Sequence, residues 1–350
     1  MFSVNIAKFQ SKIPISAFEN VIKNNLGITN EELLIIGDKG YEASKMLAPV
    51  FTNAYSFAAN NLGITHSTVY QTTKARGEPA DLVMLKQLRK LQPKSAIIIN
   101  ASNRMGQMAF LGSSFRRYCK EKGHRFISMA SLGMVNNNKL SNIIKPLETD
   151  TRVMERKGER IKKALDNGNE INILTKAGTD ITVGLRGRKA IIASGRYTQP
   201  GTGGNAIPAE VYVAPEAKTV EGTLVIDGSV RTTKRTIVVQ RPVKCQIKKS
   251  DIISWNKSAE SRLLQESIAQ AHSMAKSTWG IRRIGELGIG LNKNAKIIGT
   301  TIVDEKAAGT AHMAIGSNNW FGGDVHAPIH LDQVFRDPLF KVDGRFLPPI

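Results

Sequence analysis

Apolar and polar positions alternate between two patterns in the first half of the chain. Short apolar runs occur at ELLIIGD (32–38), SAIIINAS (95–102) and RFISMAS (125–131). Segments with helical spacing separate these runs, and the clearest of them covers residues 43–62. Strands that alternate with helices are typical of an open, mostly parallel sheet with covering helices. Residues 1–150 are therefore predicted to form an α/β domain.

The period of the apolar positions changes from Glu170 onward. The segment EINILTKAGTDITVGL (170–185) predicts two strands around a turn, and further β-rich segments follow it. One helix interrupts them at KSAESRLLQESIAQAHSMAKS (257–277), where leucine and isoleucine recur at helical spacing. Residues 151–350 are predicted to form a β-rich α+β domain. The fold class predicted for the whole chain is therefore α/β.

Hydropathy and composition indicate a globular chain without a membrane span. Apolar residues make up 41% of the sequence, and no apolar run approaches the roughly 20 residues that a transmembrane helix needs. The N-terminal residues include lysine and polar side chains where a secretory signal would place its apolar core. We therefore expect a cytoplasmic protein that does not contact a membrane.

The formal charge of +20 raises the question of an anionic partner. The basic residues are spread over several segments, including 115–125, 152–163 and 231–235, instead of forming one dense patch in the sequence. Aromatic residues for stacking on bases are few, and no nucleic-acid-binding motif occurs. Nucleic-acid binding is therefore not expected to be the main role, and a solvated basic surface is the simpler interpretation.

The segment VHAPIHLDQVF (325–335) carries the first candidate chemistry. Its part IHLDQVF alternates as a strand does, and residues two apart on a strand project from the same face. His330 and Asp332 would then lie side by side, as two ligands for a divalent metal ion. A surface pair joined by a hydrogen bond is the alternative. His326 precedes the strand across a proline, so we expect it to leave that face.

Acidic residues and a histidine also occur in small-residue, apolar contexts upstream. Glu210 lies in NAIPAEVYVAP, Glu286 in RRIGELGIGLN, and Glu305 and His312 in DEKAAGTAHMAIG. Each has a structural alternative: Glu286, for example, has two arginines just before it in sequence, and His312 fits a hydrogen-bonded core position. A buried carboxylate needs a partner, however. Taken together with HLD, these positions favour a carboxylate-rich metal centre.

These blocks resemble the aminopeptidase T and aminopeptidase S family of metallo-aminopeptidases. The segments NAIPAEVYVAP, EGTLVIDGS, GELGIGLN, DEKAAGTAHMAIG and HLD occur in the order that the family shows. The resemblance implies a pair of divalent ions, zinc, cobalt or manganese, in the C-terminal domain. The metal ligands that it implies are Glu210, Glu286, Glu305, His312, His330 and Asp332.

The same resemblance implies an activity. Two ions that share carboxylates activate a bridging water, which would release the N-terminal residue of a peptide that has a free N-terminus. Glu286 or Glu305 would act as the catalytic general base. The family also implies a homodimer.

Two departures from the aminopeptidase pattern bear on the peptidase activity and leave the metal site in place. The acidic residue and histidine of the DEK block are closer together in aminopeptidases than Glu305 and His312 are here, and a tyrosine expected after that histidine is absent from a region that holds Asn319 and Trp320. The chain is also similar to a dihydroxypyridine dioxygenase of the same superfamily, which uses one Fe²⁺ held by two histidines and a carboxylate. That enzyme has a histidine in place of Glu286, so this substitution favours the hydrolytic branch, as do the intact DEK and GTAH segments.

The sequence therefore leaves three functions open. Peptide hydrolysis at two ions is the first and the one that the sequence favours. Ring cleavage at one Fe²⁺ is the second, with a mononuclear site of His312, His330 and Asp332 as one version. The third is a non-catalytic binding protein that uses its basic surface.

Overall fold

The computed structural model describes residues 13–75, 77–112, 114–275 and 279–347. Its contacts divide the chain into two compact units. The first unit contains the described part of Met1–Thr151 together with Gly195–Pro208, and the second contains Arg152–Ser194 and the described part of Ala209–Ile350. The first change of unit falls near residue 151. The return of Gly195–Pro208 to the first unit is an addition that the sequence pattern did not indicate.

The helices and strands have the following bounds. The α-helices are α1 (Ile15–Asn20), α2 (Leu47–Asn61), α3 (Leu82–Lys90), α4 (Phe115–Lys122), α5 (Leu140–Ile144), α6 (Thr151–Asn167), α7 (Ala259–Met274) and α8 (Thr301–Asp304). The strands are β1 (Leu33–Asp38), β2 (His66–Gln71), β3 (Ala96–Asn100), β4 (Arg125–Met129), β5 (Glu170–Leu174), β6 (Asp180–Gly184), β7 (Ile191–Ala193), β8 (Gly203–Asn205), β9 (Glu210–Val213), β10 (Glu221–Ile226), β11 (Ser229–Arg231), β12 (Thr236–Val238), β13 (Val243–Lys248), β14 (Asp251–Trp255), β15 (Ile284–Gly290), β16 (Thr310–Gly316), β17 (His330–Arg336), β18 (Leu339–Val342) and β19 (Arg345–Phe346). Short turns of other helix types cover Val21–Asn25, Ala109–Leu111, Leu132–Met134, Asn137–Lys139, Lys145–Glu148 and Asn319–Phe321.

A parallel sheet forms the centre of the first unit. Its strand order in the described residues is β2-β1-β3-β4-β8, and every neighbouring pair is parallel. All residues of β1 and β3 are buried, as expected for strands that are covered on both faces. The predicted α/β arrangement is therefore confirmed for this unit.

Strand β8 extends this sheet from a distant part of the sequence. It consists of Gly203–Asn205, which has no apolar pattern to mark it as a strand. A Cβ added to Gly203 would lie 2.2 Å from the ring of Phe126, so only glycine permits this close pairing with β4.

Two further sheets make up most of the second unit. In the described residues, one has the order β14-β13-β10-β6-β5-β18-β19, and the other, which we call the site sheet, has the order β12-β11-β17-β16-β15-β9-β7. Their neighbouring strands are antiparallel. This agrees with the predicted β-rich half of an α/β protein.

The interrupting helix also forms, as α7. The Ser258 hydroxyl accepts a hydrogen bond of 3.0 Å from the backbone N–H of Ser261 and so caps its N-terminus. Leu264, Ile268 and Ala271 of this helix are buried in the apolar core of the unit. Among the described residues, no helix combines the length and the apolar character that crossing a bilayer requires.

Candidate metal centre

The register of the site sheet brings the predicted residues to one face. His330 and Asp332 lie two apart on β17, and Asp332 is directly opposite Ala314 of β16. His312 of β16 is directly opposite Gly288 of β15. Directly opposite residues of antiparallel strands share a face, so Ala314 lies on the face of Asp332. His312 is two residues before Ala314 on the same strand and therefore lies on the same face as His330 and Asp332.

The next two strands complete this face. Glu286 of β15 pairs with Ala314, and Glu210 of β9 pairs with Gly290 at the far end of β15. The other face of the same strands carries apolar side chains of the core, including Leu287, Ile289 and Met313. The alternation that the sequence shows thus separates core residues from polar ones.

Small residues make room for the polar side chains on this face. Gly288, Gly290, Ala314 and Gly316 occupy positions between the acidic residues and the histidines. A Cβ added to Gly288 would lie 2.1 Å from the imidazole of His312. The glycines of the GELGIG block therefore leave space for an imidazole ring.

Replacement of Gly288 by alanine is expected to displace the His312 ring. Overpacking of this kind costs about 1–3 kcal/mol, and the melting temperature should fall accordingly. Gly309→Ala is the control, since an added Cβ there meets no described atom within 4 Å and only its φ of 78° is unfavourable. Equal melting temperatures of Gly288→Ala and the unmodified protein would contradict the assigned contact.

Three side chains form a compact group of potential metal ligands. One ligand atom from each of Glu286, His330 and Asp332 lies within 4.8 Å of the other two. His330 Nε2 is 3.1 Å from Asp332 Oδ1 and 3.4 Å from Glu286 Oε2. We call this group the three-ligand set. Two carboxylates and one imidazole are ligands that divalent transition metals accept.

His330 is oriented by a backbone group. Its Nδ1 lies 2.7 Å from the carbonyl oxygen of Ser317, which requires that Nδ1 carry the proton and donate. Nε2 is then the nitrogen that faces Glu286 and Asp332, with its lone pair free to bind a metal ion. This is the arrangement that commonly fixes a metal-binding histidine.

Aromatic side chains flank the outer side of His330. The Trp320 ring packs against the imidazole with a centroid distance of 4.9 Å, and Phe321 lies next to Trp320. Phe321 in turn contacts Tyr212 of β9. Trp320 is 60% exposed, so the region where the sequence departs from the aminopeptidase pattern forms an accessible aromatic surface.

His312 lies on the inner side of Glu286. Its Nε2 is 3.2 Å from Glu286 Oε1 and 3.8 Å from Glu210 Oε2. Glu286 thus uses one oxygen toward His312 and the other toward His330. Within the described residues, Glu210 Oε2 and His312 Nδ1 are buried without a hydrogen-bond partner, which leaves coordinating capacity on this side as well.

Lys306 is a further charged group that the sequence reasoning did not consider for the site. Its Nζ donates to a carboxylate oxygen of Glu210 and lies 2.7 Å from Glu305 Oε1. The side chain of Lys306 is completely buried. In the sequence, only its position directly after Glu305 in DEK points to Lys306. Adjacent side chains usually project in different directions, so this position gave no reason to place both residues in one site.

The structure also resolves the alternative partners. Arg283 binds Asp251 with two hydrogen bonds of 2.9 and 2.6 Å, so it does not neutralise Glu286. Asp304 accepts hydrogen bonds from the backbone N–H groups of Ile298, Gly299 and Thr300. Asp304 therefore anchors the turn before Glu305. His326 is exposed and precedes β17.

Burial and mutual charge shift the pKa values in this group. Burial alone would lower the pKa of His312, but its hydrogen bond to Glu286 and the nearby carboxylates raise that pKa to about 9. The pKa of His330 is raised in the same way, chiefly by Asp332. Burial raises the pKa of Glu305 to about 8, against the opposing effect of Lys306. The negative charge of the carboxylates therefore outweighs the effect of burial on the pKa values of both histidines.

These observations fit a divalent cation. The carboxylates draw protons to both imidazoles, so the buried face favours positive charge. The three-ligand set supplies three donor atoms in close proximity, and the hydrogen bond at Nδ1 directs Nε2 of His330 toward the two carboxylates, where a bound cation would replace its proton. Glu210 and Glu305 contact Lys306, and His312 lies near Glu210. Five of the six predicted ligands thus lie on one face of the site sheet, and Glu305, which follows α8, joins Glu210 through Lys306.

Two solved structures share the fold of this chain. The structure is similar to that of 2,5-dihydroxypyridine dioxygenase from Pseudomonas putida KT2440, with a TM-score of 0.71 and 17% identity over 96% of this chain and 95% of that one. It is also similar to AmpT from Thermus thermophilus, with a TM-score of 0.61 and 13% identity over 99% and 100% of the two chains. No curated protein sequence gives a significant match.

These likenesses show that the chain shares its fold with both the dioxygenase and AmpT. They do not support the aminopeptidase family in particular. The family model described as NicX: 2,5-dihydroxypyridine 5,6-dioxygenase matches residues 15–347, which is nearly the whole chain. The chain therefore belongs to the 2,5-dihydroxypyridine 5,6-dioxygenase family.

Proposed function

We propose that this protein is a metal-dependent dioxygenase that opens the ring of a hydroxylated, nitrogen-containing aromatic compound. The observation that carries the proposal is the three-ligand set on the site sheet of a chain from this family. Fe²⁺ is the metal that we assign to Glu286, His330 and Asp332. When bound, it supplies the one-electron chemistry with O₂ that side chains alone do not provide.

The donor set differs from the common one in a single residue. Non-haem Fe²⁺ oxygenases typically use two histidines and one carboxylate, whereas this chain offers one histidine and two carboxylates. Glu286 therefore replaces an imidazole. An additional anionic donor stabilises the more highly charged state of a metal ion, so we expect a lower reduction potential than two histidines would give.

The aromatic surface beside His330 suits a planar substrate. Trp320 and Phe321 lie next to the imidazole, and Trp320 is largely exposed. Stacking against such rings would orient a heteroaromatic ring toward the three-ligand set. We propose that Trp320 serves this positioning role, in place of the tyrosine that aminopeptidases carry in this region.

A proton acceptor is available for the substrate hydroxyl group. His312 and Glu286 are in hydrogen-bond distance, and both are buried. Charge from a bound divalent ion would favour neutral His312, which then is able to accept a proton. We propose that this pair holds the proton that leaves the substrate hydroxyl before ring cleavage.

Oxygen consumption tests the proposed activity. Protein loaded with Fe²⁺ under anaerobic conditions should take up about one O₂ for each 2,5-dihydroxypyridine consumed, because a dioxygenase adds both oxygen atoms to its substrate. Loss of the aromatic absorbance should accompany the uptake. Asp332→Asn, loaded and assayed in the same way, is the matched control and should show neither change. Absence of uptake with a series of hydroxylated pyridines and benzenes would refute the proposal.

Peptide hydrolysis is the second candidate. The unpartnered Glu210 Oε2 and the nearness of Glu286, Glu305 and His312 favour it, because carboxylates that face two ions are what a hydrolytic centre needs. The Glu305 pKa of about 8 suits proton transfer. Hydrolysis of aminoacyl nitroanilides with added Zn²⁺, Co²⁺ or Mn²⁺, without oxygen uptake, would select this candidate over the first.

A further inference from the structure

We propose that the ammonium group of Lys306 occupies the position of a second divalent ion, so that the site binds one metal ion instead of two. This inference rests on the proposed function in so far as the three-ligand set binds a metal. It concerns a residue that is not itself a ligand, and it determines how many ions the carboxylate-rich face accepts.

The site has two halves that share Glu286. The outer half contains His330, which approaches Glu286 through its Oε2, and Asp332, which pairs with His330. The inner half contains His312, which approaches Glu286 Oε1 and also Glu210. A carboxylate with one oxygen toward each half is the geometry by which two ions are bridged. The arrangement of donors thus suits two cations.

Lys306 supplies one of these cations. Its ammonium group contacts both Glu210 and Glu305, and these two carboxylates are the donors of the inner half that a second ion would need. The lysine is 0% exposed, and the two carboxylates are 6% and 8% exposed. A divalent ion bound to the same oxygen atoms would lie within contact distance of Nζ, and like charges in a buried site repel strongly.

The backbone holds Lys306 in this place. Its N–H donates to the carbonyl of Val303 at 3.0 Å, and its carbonyl accepts from Asn292 at 2.8 Å. The following residue lies against β15, where a Cβ at Gly290 would be 2.2 Å from the Ala307 carbonyl oxygen. These contacts fix the backbone of Lys306, and its ion pairs with Glu210 and Glu305 hold the ammonium in the inner half.

Metal stoichiometry tests the role of Lys306. We expect the unmodified protein to bind one Mn²⁺ per chain and Lys306→Met to bind two, as measured by titration calorimetry and by elemental analysis after gel filtration. The Mn²⁺ electron paramagnetic resonance spectrum should change from that of isolated ions to that of two coupled ions. Lys74→Met is the matched control, because Lys74 is also buried and paired, with Asp81 at 2.5 Å, in the other unit. It should bind one ion.

A second variant covers the case in which Lys306→Met fails to fold without metal. The double variant Lys306→Met with Glu210→Gln removes a negative charge together with the positive one, and it should fold and bind a single ion. Folding of Lys306→Met that is restored by Mn²⁺, at two ions per chain, supports the inference. One ion in folded Lys306→Met, or two ions in the unmodified protein, would overturn it.

The outcome is separable from that of the proposed function. A change from one ion to two, without oxygen uptake by the unmodified protein, would remove the dioxygenase proposal and leave the inference standing. Oxygen uptake with one ion in both the unmodified protein and Lys306→Met would support the dioxygenase proposal and overturn the inference on Lys306.

Discussion

Replacement of His330 by alanine should lower the affinity for Fe²⁺ or Mn²⁺ by more than about 100-fold, because loss of a direct ligand exceeds the 10- to 100-fold cost typical of supporting residues. His330 Nε2 is the donor that lies close to both Glu286 and Asp332, at 3.4 and 3.1 Å. Its removal leaves the two carboxylates without the imidazole that separates them. Ring cleavage should be lost together with the metal.

Metal content after purification and a titration with Mn²⁺ measure this effect. His272→Ala is the matched control, since His272 lies on helix α7 and has no place in the three-ligand set. The control should keep its metal. Retention of a full equivalent of metal at unchanged affinity in His330→Ala would show that the ion binds elsewhere.

Replacement of Glu286 by glutamine should affect both halves of the site. The change keeps the shape of the side chain but removes the charge that His312 and His330 share. We expect metal affinity to fall by about 100-fold or more. In the metal-free protein, the pKa of His312 should fall from about 9 toward the ordinary value of 6.5, which an NMR titration of the histidine ring measures.

The same variant predicts a pH dependence of stability. In the folded protein the pKa of His312 is raised to about 9 above its value of 6.5 in the unfolded chain. The stabilisation of the fold by the protonated His312 ring is therefore complete below pH 6.5 and is lost as the pH rises through 9. Metal-free Glu286→Gln should be less stable by about 3 kcal/mol at neutral pH, and the difference should shrink above pH 9.

Denaturant unfolding at several pH values measures that difference. Glu266→Gln is the control, because Glu266 is exposed on helix α7, and it should change the unfolding free energy little at any pH. A difference between Glu286→Gln and the unmodified protein that is independent of pH would contradict the assigned coupling to His312.

Much of the fold followed from local pattern. Continuous apolar runs such as AIIIN indicated buried parallel strands, because a strand covered on both faces has no polar side. Helix α7 followed from its apolar spacing, and the structure adds the Ser258 cap at its N-terminus. Strand β8 did not follow from a local pattern. Gly203–Asn205 pairs with β4 through its backbone, and the glycine at position 203 allows this because it has no side chain to collide with Phe126.

The site likewise has features that the local sequence pattern predicted and features that it did not. The two-residue spacing of His330 and Asp332 predicted their common face without any knowledge of neighbours. The distance from either residue to Glu286 depends on the pairing of β15, β16 and β17 and on the irregular register near Glu286. No local pattern contains that information.

The sequence by itself determined which side chains stand on the polar face of each strand, because alternation along a strand is a property of the backbone. It also named Glu210, Glu286, Glu305, His312, His330 and Asp332 as one candidate group. Only the tertiary structure decided that three of them lie together as a compact set and that Lys306 neutralises Glu210 and Glu305. The reason is that charge balance in a buried site depends on distances between residues far apart in the chain, and those distances are set by strand register and packing.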